Sequence, residues 1–170
     1  MLRRAAEKIK EQRELAQIVQ QRRREGERCV FTNGCFDILH IGHIRYLQEA
    51  RELGDYLVVA INSDESVRQL KGYPRPFVTQ DERAEMLAAL ESVDYVTVYD
   101  ELTAEAVIRL LRPEVYVKGG DYKPDSIVEA PLVRSYGGQV VTVTLVQGRS
   151  TTRLVERVVQ ALAEREEEMV

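Results

Sequence analysis

Short runs of apolar residues that alternate with helical patterns are the feature of this chain that most restricts its fold. The longest run, residues 56–61, contains no polar side chain other than one tyrosine, as expected for a strand that is covered on both faces. Strands separated by helices form a parallel sheet. We therefore predict a Rossmann-like α/β fold: a doubly wound, five-stranded parallel sheet with helices on both faces, plus an N-terminal helix. The predicted strands cover residues 29–32, 56–61, 95–98, 115–117 and 140–143.

Length and composition suit one folded domain. The chain has 170 residues, 44% of them apolar, and a formal net charge of −4, which argues against a disordered chain. It has no apolar run near the roughly 18 residues that cross a bilayer, and no secretory signal pattern. Its two cysteines, Cys29 and Cys35, lack CxxC spacing. We expect a reduced, cytoplasmic protein with a helical segment at 1–26, a main domain at 27–162 and an acidic tail at 163–170.

The N-terminal segment is basic but does not predict nucleic-acid binding. Residues 1–28 hold nine Lys or Arg and five Asp or Glu. The basic residues alternate with glutamates, and no aromatic side chains interleave with them for base stacking. A solvated helix face explains this pattern better. The sequence leaves open whether the helix packs against its own domain or against a second subunit of a homo-oligomer.

Capping signals predict where several helices begin. Thr79 and Glu82 have the spacing of a capping box, Thr103 is a candidate cap for the next helix, and Ser150 is expected to open the last one. A further helix is predicted from about Asp125 to a pair of glycines. These boundaries place the predicted helices between the predicted strands.

Ligands of such sheets bind beyond the carboxyl ends of the strands, where the strand order reverses. Neither common phosphate-binding loop is present, because the chain has no GxxxxGK[ST] sequence and no GxGxxG after its first strand. Any phosphate must therefore be bound by a different arrangement. The segments to search are 33–43, 62–64, 118–122 and 148–152.

Both histidines of the chain lie in the first of these segments. His40 and His43 are three residues apart, so they can face the same way at the start of a helix, whose free N–H groups favour a polyphosphate. Beside a phosphate, the imidazoles would donate hydrogen bonds to developing negative charge, and Gly42 would leave room for close approach. From the residues alone, a structural pair and a metal-binding pair with Cys35 or Asp37 stay open as alternatives.

Cationic side chains near the strand ends are candidates for neutralising phosphates. Lys118 follows a predicted buried strand, and Lys71 and Arg75 lie in a loop with glycine and proline that could close over substrates. Each of the three could equally be solvated. Arg83 lies in the first turn of a predicted helix, where a cation is unfavourable. Its position indicates either a bound ligand or an acidic neighbour.

The motifs around these candidates resemble those of the HxGH nucleotidylyltransferases. The first is TNGCFDILHIGH at 32–43, and the second, GRSTT at 148–152, is similar to the S-T-T-type signature of that family. LKG and RP within 70–76, and KGGDYKP at 118–124, are similar to one subgroup, the adenylyltransferase half of bacterial bifunctional ADP-heptose synthase. That half also occurs as a separate polypeptide. The resemblance covers about residues 28–158.

This resemblance implies roles for the candidates. The histidines of the family contact the triphosphate and stabilise the transition state, so His40 and His43, with Lys118, are the expected catalytic residues. Asp37 is expected to bind the acceptor sugar, although an Asx-turn would also explain it. The other acceptor candidates are Asn62, Asp64, Lys71 and Arg75. The expected nucleotide and phosphate ligands are Thr32, Asn33, Gly34, Phe36, Gly42, Arg83, Gly119, Asp121, Arg149, Ser150, Thr151 and Thr152.

The implied reaction is transfer of AMP from ATP to a sugar 1-phosphate, D-glycero-β-D-manno-heptose 1-phosphate, by direct in-line attack that releases pyrophosphate. Mg²⁺ is expected to enter with ATP, held mostly by phosphate oxygens and water, with no metal site made by protein alone. The expected partners are ATP, the sugar 1-phosphate and a separate heptose kinase, with no nucleic acid and no membrane.

Alternatives remain within and outside this superfamily. The same chemistry would serve CTP with glycerol 3-phosphate, or ATP with FMN. The tetrapeptide HIGH at 40–43 is also the signature of class I aminoacyl-tRNA synthetases, but the chain has no KMSKS-like segment and is too short for tRNA-binding domains. A module that binds nucleotide without catalysis is a further alternative.

Overall fold

A parallel sheet with the strand order β3-β2-β1-β4-β5 forms the centre of the protein. The computed structural model describes residues 4–120, 126–143 and 151–168. All four strand pairs are parallel, which confirms the predicted sheet. The strands are β1 (Cys29–Gly34), β2 (Tyr56–Asn62), β3 (Tyr95–Tyr99), β4 (Val115–Gly119) and β5 (Gln139–Val143).

Helices connect the strands and cover both faces of the sheet. Leu57, Val59 and Ile61 face a core that includes α3 and α5, whereas Tyr56 and Val58 face a second core that includes α2, α6 and α7. The doubly wound arrangement is therefore confirmed. The helices are α1 (Ala5–Lys8), α2 (Gln12–Arg24), α3 (Ile41–Arg51), α4 (Asp64–Lys71), α5 (Gln80–Ala88), α6 (Glu105–Leu111), α7 (Ala130–Ser135) and α8 (Thr151–Glu168).

The switch point lies between β1 and β4. From β1 the chain winds outward through β2 to β3, and then returns to place β4 on the other side of β1. The connections therefore leave the carboxyl ends of β1 and β4 in opposite directions, and this opens a crevice between them. The first and third of the segments singled out in the sequence, 33–43 and 118–122, begin at these two strand ends.

Three strands run further toward this crevice than the sequence predicted. Asn33 and Gly34 are paired with β2, and Lys118 and Gly119 with β5, as the last residues of β1 and β4. Asn62 likewise ends β2. The prediction stopped where the apolar runs stop, but the ladder of backbone hydrogen bonds continues past them. These polar residues are thus held by the sheet and not by loops.

Several helix boundaries differ from the sequence prediction. Thr79 and Glu82 form the predicted capping box of α5, but Thr103 does not cap α6, which has Ala104 at its N-cap and no side-chain cap. The helix predicted from Asp125 begins at Ala130. Residues 64–71, expected as part of a loop, form α4. The cause is that a short polar helix carries little of the apolar periodicity on which the prediction depends.

The N-terminal segment packs against its own domain. It consists of two helices, α1 and α2, separated by Ile9, which forms a parallel bridge with Val96 of β3. Lys8 Nζ donates hydrogen bonds to the carbonyls of Leu90 at 3.0 Å and Val93 at 2.8 Å. The segment thus lies along β3, the outer strand on this side of the sheet, and covers an edge that would otherwise be open to pairing with another chain.

Burial of α2 leads to a stability prediction. Leu15, on the inner face of α2, is fully buried. Leu15→Ala is expected to lower the free energy of unfolding by about 2–5 kcal/mol, because it removes buried methyl groups and leaves a cavity. Denaturant unfolding followed by circular dichroism measures the change. Leu162→Ala, at a position 55% exposed on α8, is the control and should change it by less than about 0.5 kcal/mol. Equal losses in both variants would contradict the packing of α2.

The last helix differs from the others in its exposure. α8 continues through Glu168, so the acidic residues after 162 belong to the helix as far as that residue. Most of its side chains up to residue 165 are exposed. Among the described residues, no helix combines the length and the apolar character needed to cross a membrane.

Candidate active site

A pocket of about 170 Å³ lies at the carboxyl ends of β1 and β4, at the switch point. The end of β1 and the turn after it form one wall, α3 forms the second, and β4 forms the third. The fold therefore gathers residues from distant parts of the sequence. Six of the predicted site residues line this pocket: Asn33, Gly34, Phe36, His43, Lys118 and Gly119.

The two histidines form a stacked pair at the N-terminus of α3. His40 is the N-cap residue, and its Nδ1 accepts a hydrogen bond from the backbone N–H of Gly42 at 3.1 Å. His43 Nδ1 accepts one from the backbone N–H of His40 at 3.4 Å. The ring centroids are 3.9 Å apart. Because each Nδ1 is an acceptor, the proton of each neutral ring is on Nε2, so each ring can donate a hydrogen bond from its outer nitrogen.

Burial keeps His43 neutral. Removal from water, and next the neighbouring His40, lower the pKa of His43 from 6.5 to about 4. At neutral pH the ring is therefore an uncharged hydrogen-bond donor, ready to interact with charge that develops on a phosphate oxygen. It would not need to lose or gain a proton during the reaction.

The lowered pKa of His43 predicts a pH-dependent stability. Between pH 6.5 and about 4 the unfolded chain protonates this histidine but the folded chain does not. The folded state should therefore lose up to about 3 kcal/mol as the pH falls through this window, and nothing from this group above it. Unfolding of the wild type and of His43→Gln at pH 8 and pH 4.5 measures this. The variant should lose less stability on acidification, and parallel losses would contradict the prediction.

Phe36 contacts the ring of His43. Its φ of 48° lies in the left-handed region, which is unfavourable for a bulky residue and is found most often at functional sites. Its ring lies 5.3 Å from the ring of His43, centroid to centroid. A Cβ on Gly34 would come within 3.1 Å of the Phe36 ring. Gly34 therefore leaves the space that Phe36 fills, and Phe36 fixes the position of His43.

The side chain of Lys118 extends from β4 into the pocket, where its ammonium group donates hydrogen bonds to neutral acceptors. Its Nζ donates to Asn33 Oδ1 at 3.3 Å and to the hydroxyl of Tyr116 at 3.2 Å. Burial lowers the pKa of Lys118 from its usual 10.5, and the nearby negative charge of Glu129 partly offsets this. Among the described residues, no carboxylate is in direct contact with this ammonium group, and a cation of this kind favours an anionic ligand.

The N-terminus of α8 lies close to the histidine turn. Thr151 Oγ1 donates a hydrogen bond to the carbonyl of Ile38 at 3.2 Å, two residues before His40. Thr152 follows in the same turn and is exposed. The structure therefore brings the start of α8 and the start of α3 together, as the two motifs predicted. Three predicted ligands, Asp121, Arg149 and Ser150, lie outside the described residues.

Two of the predicted acceptor-binding residues contact each other. Asp37 is buried and forms an ion pair with Arg75. It also accepts hydrogen bonds from the backbone N–H groups of Phe77 at 2.8 Å and Val78 at 2.9 Å. Asp37 therefore ties the 72–78 loop to the histidine turn. Arg75 and Asp64 both line a second cavity, of about 460 Å³, beside this loop.

The other acceptor candidates do not line the pocket that contains His43. Asn62 is buried, and its amide donates to Ser66 Oγ at 2.9 Å. Asp64 forms an ion pair with Arg83 at 2.8 Å. Lys71 is exposed at the end of α4 and not in a loop as expected. None of the three lines the pocket at the switch point.

For two predicted nucleotide ligands the structure indicates an internal role. Arg83 is 0% exposed, and its guanidinium donates to the carbonyls of Cys35 and Val78 and to Asp64. Of the two explanations for a cation in this first helical turn, the acidic neighbour is therefore correct. Thr32 is also fully buried, and its hydroxyl contacts that of Tyr46. Neither side chain lines the pocket at the switch point, so contact of Arg83 or Thr32 with a bound nucleotide stays a prediction.

Sequence reasoning missed several polar groups around the pocket. Tyr46 lines the pocket and donates to the carbonyl of Val117 at 3.0 Å. Tyr116 and Tyr99 both bond Asn33, and Glu129 is buried nearby on the other side of Tyr116. The tyrosines stand among apolar residues in strands and a helix, so the sequence pattern assigned them to the core. No sequence pattern pointed to Glu129 as a site residue, because it precedes a short helix and belongs to no motif.

Fold and site together define a class of protein. The doubly wound sheet, and the groups that meet at its switch point, are those of a nucleotidyltransferase. The chain belongs to the cytidylyltransferase-like family, because the sequence model of that family matches residues 31–166. This confirms the family that the sequence motifs indicated.

Relatives with high identity carry one name. The chain is 53% identical over 151 residues to the bifunctional protein HldE of Syntrophotalea carbinolica, covering 89% of this chain and 31% of the relative. It is 52% identical over 157 residues to the bifunctional protein HldE of Geobacter sulfurreducens, covering 92% of this chain and 32% of that protein. The chain thus spans about a third of the length of these curated relatives.

Two solved structures share the fold. One is the lipopolysaccharide core biosynthesis protein of Thermoplasma volcanium, with a TM-score of 0.59 and 28% identity over 72% of this chain and 99% of that chain. The other is pantoate-beta-alanine ligase of Francisella tularensis, with a TM-score of 0.59 and 14% identity over 84% of this chain and 68% of that one. The second likeness concerns the fold alone.

Proposed function

We propose that this chain transfers the AMP group of ATP to the phosphate of D-glycero-β-D-manno-heptose 1-phosphate, giving ADP-heptose and pyrophosphate. The observation that carries the proposal is the stacked pair of His40 and His43, with ring centroids 3.9 Å apart at the start of α3, next to Lys118 in the switch-point pocket. The choice of a heptose is supported by the LKG, RP and KGGDYKP motifs and by the similarity to bifunctional HldE proteins.

The reaction is a direct in-line displacement. A phosphate oxygen of the sugar 1-phosphate attacks the α-phosphorus of ATP, the bond from that phosphorus to the bridging oxygen of the β-phosphate breaks, and pyrophosphate leaves with that oxygen. No protein nucleophile takes part. Catalysis then consists of positioning two anions and stabilising the charge that they share in the transition state.

Each group in the site has a part in that task. His40 and His43, whose Nδ1 atoms accept backbone hydrogen bonds, donate hydrogen bonds from Nε2 to oxygens around the α-phosphorus. Lys118 supplies the positive charge that lets two polyanions approach each other. Thr151 and Thr152, with Ser150 and Arg149 before them, hold the outer phosphates at the start of α8, where free N–H groups favour anions. Asn33, Gly34, Phe36 and Gly119 line the pocket and would shape its nucleotide side. Gly42, in the histidine turn, and Asp121, in the KGGDYKP motif, are the further nucleotide ligands that we propose.

The acceptor would bind beside the loop that Asp37 holds. Asp37 and Arg75, joined as an ion pair, lie between the histidine turn and the 72–78 loop. A sugar 1-phosphate that entered here would meet Arg75 with its phosphate. Asp37, whose side chain is 0% exposed, would have to open toward the acceptor to reach the sugar hydroxyls. Lys71, Asn62 and Asp64 then border the outer side of the acceptor site.

Mg²⁺ would enter as part of the MgATP substrate. In the part of the chain that the structure describes, no three His, Cys, Asp or Glu side chains are placed to hold a metal ion together. Such a site fits a metal that keeps its water and phosphate ligands, as Mg²⁺ prefers in phosphoryl-transfer enzymes. The ion would neutralise charge on the triphosphate.

The proposed acceptor must itself be made by phosphoryl transfer. A kinase that phosphorylates the anomeric hydroxyl of a sugar makes a compound of this kind, and we expect such a reaction upstream. The relatives are named bifunctional and are about three times as long as the aligned region, so they have a second activity besides that of the region that matches this chain. We expect a heptose kinase to supply the substrate.

Pyrophosphate release tests the proposal. The protein is incubated with ATP, Mg²⁺ and D-glycero-β-D-manno-heptose 1-phosphate, and pyrophosphate is followed with a coupled assay. Release should depend on all three components. The double variant His40→Ala, His43→Ala is the matched control, and wild-type release no faster than this control would overturn the proposal.

A second candidate is transfer of CMP from CTP, which the description of the matched family favours. The same assay with CTP and glycerol 3-phosphate, and with ATP and FMN, distinguishes the candidates. Thermal shifts with each nucleotide and acceptor provide an independent measurement, since a ligand that binds the folded state raises Tm. A larger rate and shift with CTP than with ATP would favour the cytidylyltransferase.

A further inference from the structure

A buried polar network lies beneath the pocket and leads away from Lys118. The hydroxyl of Tyr116 donates to Asn33 Oδ1 at 2.8 Å and accepts from Lys118 Nζ at 3.2 Å. The amide nitrogen of Asn33 donates in turn to the hydroxyl of Tyr99 at 2.9 Å. Lys118 is thus attached through two acceptors, both of which are fixed by further hydrogen bonds or by burial.

A buried carboxylate lies next to this network. Glu129, just before α7, is only 5% exposed. It interacts electrostatically with both Tyr116 and Lys118, and its Oε1 accepts from the backbone N–H of Ala104 at 3.4 Å. A buried carboxylate is costly unless it is matched by a positive charge. Of the charged groups named in the surroundings of Lys118, Glu129 is the one that raises its pKa most.

The strand geometry explains why the two side chains of β4 act together. Tyr116 and Lys118 are two residues apart, so both point to the same face of the sheet. Tyr116 is fully buried, whereas the end of Lys118 reaches the pocket. The buried phenol therefore holds the end of the lysine side chain in place. Without it, about four rotatable bonds of the lysine would have to be fixed when a ligand binds, at a cost in conformational entropy.

We propose that Tyr116 and Glu129 are positioning residues for Lys118: the phenol fixes the ammonium group beside Asn33, and the buried carboxylate, next to the phenol, balances its charge. The role of Lys118 itself rests on the proposed function. The two residues act through Lys118 and do not touch the substrates.

The charges around Lys118 predict in which direction its pKa changes when Glu129 is replaced. Burial lowers the pKa of Lys118, and the negative charge of Glu129, followed by that of Cys35 when ionised, raises it. Without Glu129 the pKa would fall further, so the ammonium would lose its proton at a lower pH. Within the described part of the chain, the other titratable groups around the pocket and the network are His43, Tyr46, Tyr99 and Tyr116.

The decisive experiment compares the pH dependence of pyrophosphate release in the wild type and in Glu129→Gln. The glutamine keeps the shape and the acceptor oxygen but removes the charge. We expect the alkaline limb of kcat/KM to move to lower pH, so that the variant loses more activity than the wild type at pH 9 but little at pH 7. The alkaline limb of the pH profile of kcat should move less, because the bound triphosphate itself stabilises the protonated lysine.

Two further variants complete the design. Glu114→Gln is the matched control: its partly buried carboxylate bonds the backbone N–H of Cys29 at the opposite end of β4, and its profile should keep the wild-type limb. Tyr116→Phe keeps the ring but removes both hydrogen bonds, and should lower kcat/KM on the order of tenfold. A uniform fall at all pH values in Glu129→Gln, or an unmoved alkaline limb, would overturn the proposal.

A direct titration separates this inference from the proposed function. The chain has five lysines, so the side-chain signal of Lys118 can be assigned in NMR spectra by comparison with Lys118→Met. The signal should titrate at a lower pH in Glu129→Gln than in the wild type, whatever reaction the enzyme catalyses. If the wild type releases no pyrophosphate but the shift is present, the proposed function fails and the positioning stands. An identical Lys118 titration in both proteins would overturn it.

Discussion

Replacing His43 with alanine is expected to reduce pyrophosphate release on the order of 100-fold or more, which is the effect of losing one preorganised hydrogen-bond donor at a transition state. The ring is neutral at the pH of the assay, because its pKa is lowered to about 4. Its Nε2–H is oriented before the substrate arrives, since Nδ1 accepts from the backbone of His40. Removal should therefore lower kcat much more than it weakens ATP binding.

His40 has a structural task in addition to its proposed catalytic one. It caps α3 by accepting from the backbone N–H of Gly42, and loss of a cap costs about 1 kcal/mol. His40→Asn restores a good cap but not the imidazole, so it should be as stable as the wild type and nearly as slow as His40→Ala. Stacking of the two rings couples them, and the double variant should lose less activity than the product of the single losses.

A control on the same helix separates catalysis from folding. Gln48→Ala lies on the solvent face of α3 and should stay within about twofold of the wild-type rate. Tm, measured for each variant, shows whether the fold is kept. Folded His43→Ala protein with a rate near that of Gln48→Ala would refute the catalytic role of the pair and leave the histidines as a helix cap.

The sheet could be predicted from the sequence because its strands are buried on both faces. Residues such as 56–61 have no alternation, and only a central parallel strand explains a run of this kind in a chain with so many charges. The histidine turn could be located for the same reason, since a strand end in a doubly wound sheet marks the ligand crevice. The extension of β1 and β4 into polar residues could not be predicted, because it depends on pairing between strands that are far apart in sequence.

The side-chain partners in the site could not be predicted either. Asp37 and Arg75 are 38 residues apart, and Asp64 and Arg83 are 19 apart, distances at which no local pattern relates them. The sequence therefore allowed both a ligand and a neighbour for each cation. Tyr116 was hidden in an apolar strand, where an aromatic residue normally indicates core packing. Its hydroxyl matters only because Lys118 and Asn33 end neighbouring strands.

Removing the carboxylate of Asp64 is expected to destabilise the protein by about 3–5 kcal/mol, the cost of leaving a buried charge without its partner. The guanidinium of Arg83 is 0% exposed and donates to Asp64 at 2.8 Å. In Asp64→Ala it would keep only the carbonyls of Val78 and Cys35. Cys35 lies in the turn that carries the histidines, so movement of Arg83 would also disturb that turn.

Asp64→Asn and Asp81→Ala make this prediction specific. The amide oxygen in Asp64→Asn still accepts from Arg83, so the loss should be smaller than in Asp64→Ala. Asp81 occupies the first turn of α5, as Asp64 does in α4, but it is exposed. Asp81→Ala should therefore cost only the helix-dipole contribution, below about 1 kcal/mol.

Denaturant unfolding and calorimetric titration with ATP together decide between the two explanations of Arg83. If Arg83 is an internal brace, Asp64→Ala loses far more stability than Asp81→Ala, and any effect on ATP binding follows the loss of folding. If Arg83 instead binds phosphate, the two aspartate variants have similar unfolding free energies, and Asp64→Ala, whose guanidinium is released from its partner, binds ATP differently from Asp81→Ala. The fully buried guanidinium leads us to expect the first result.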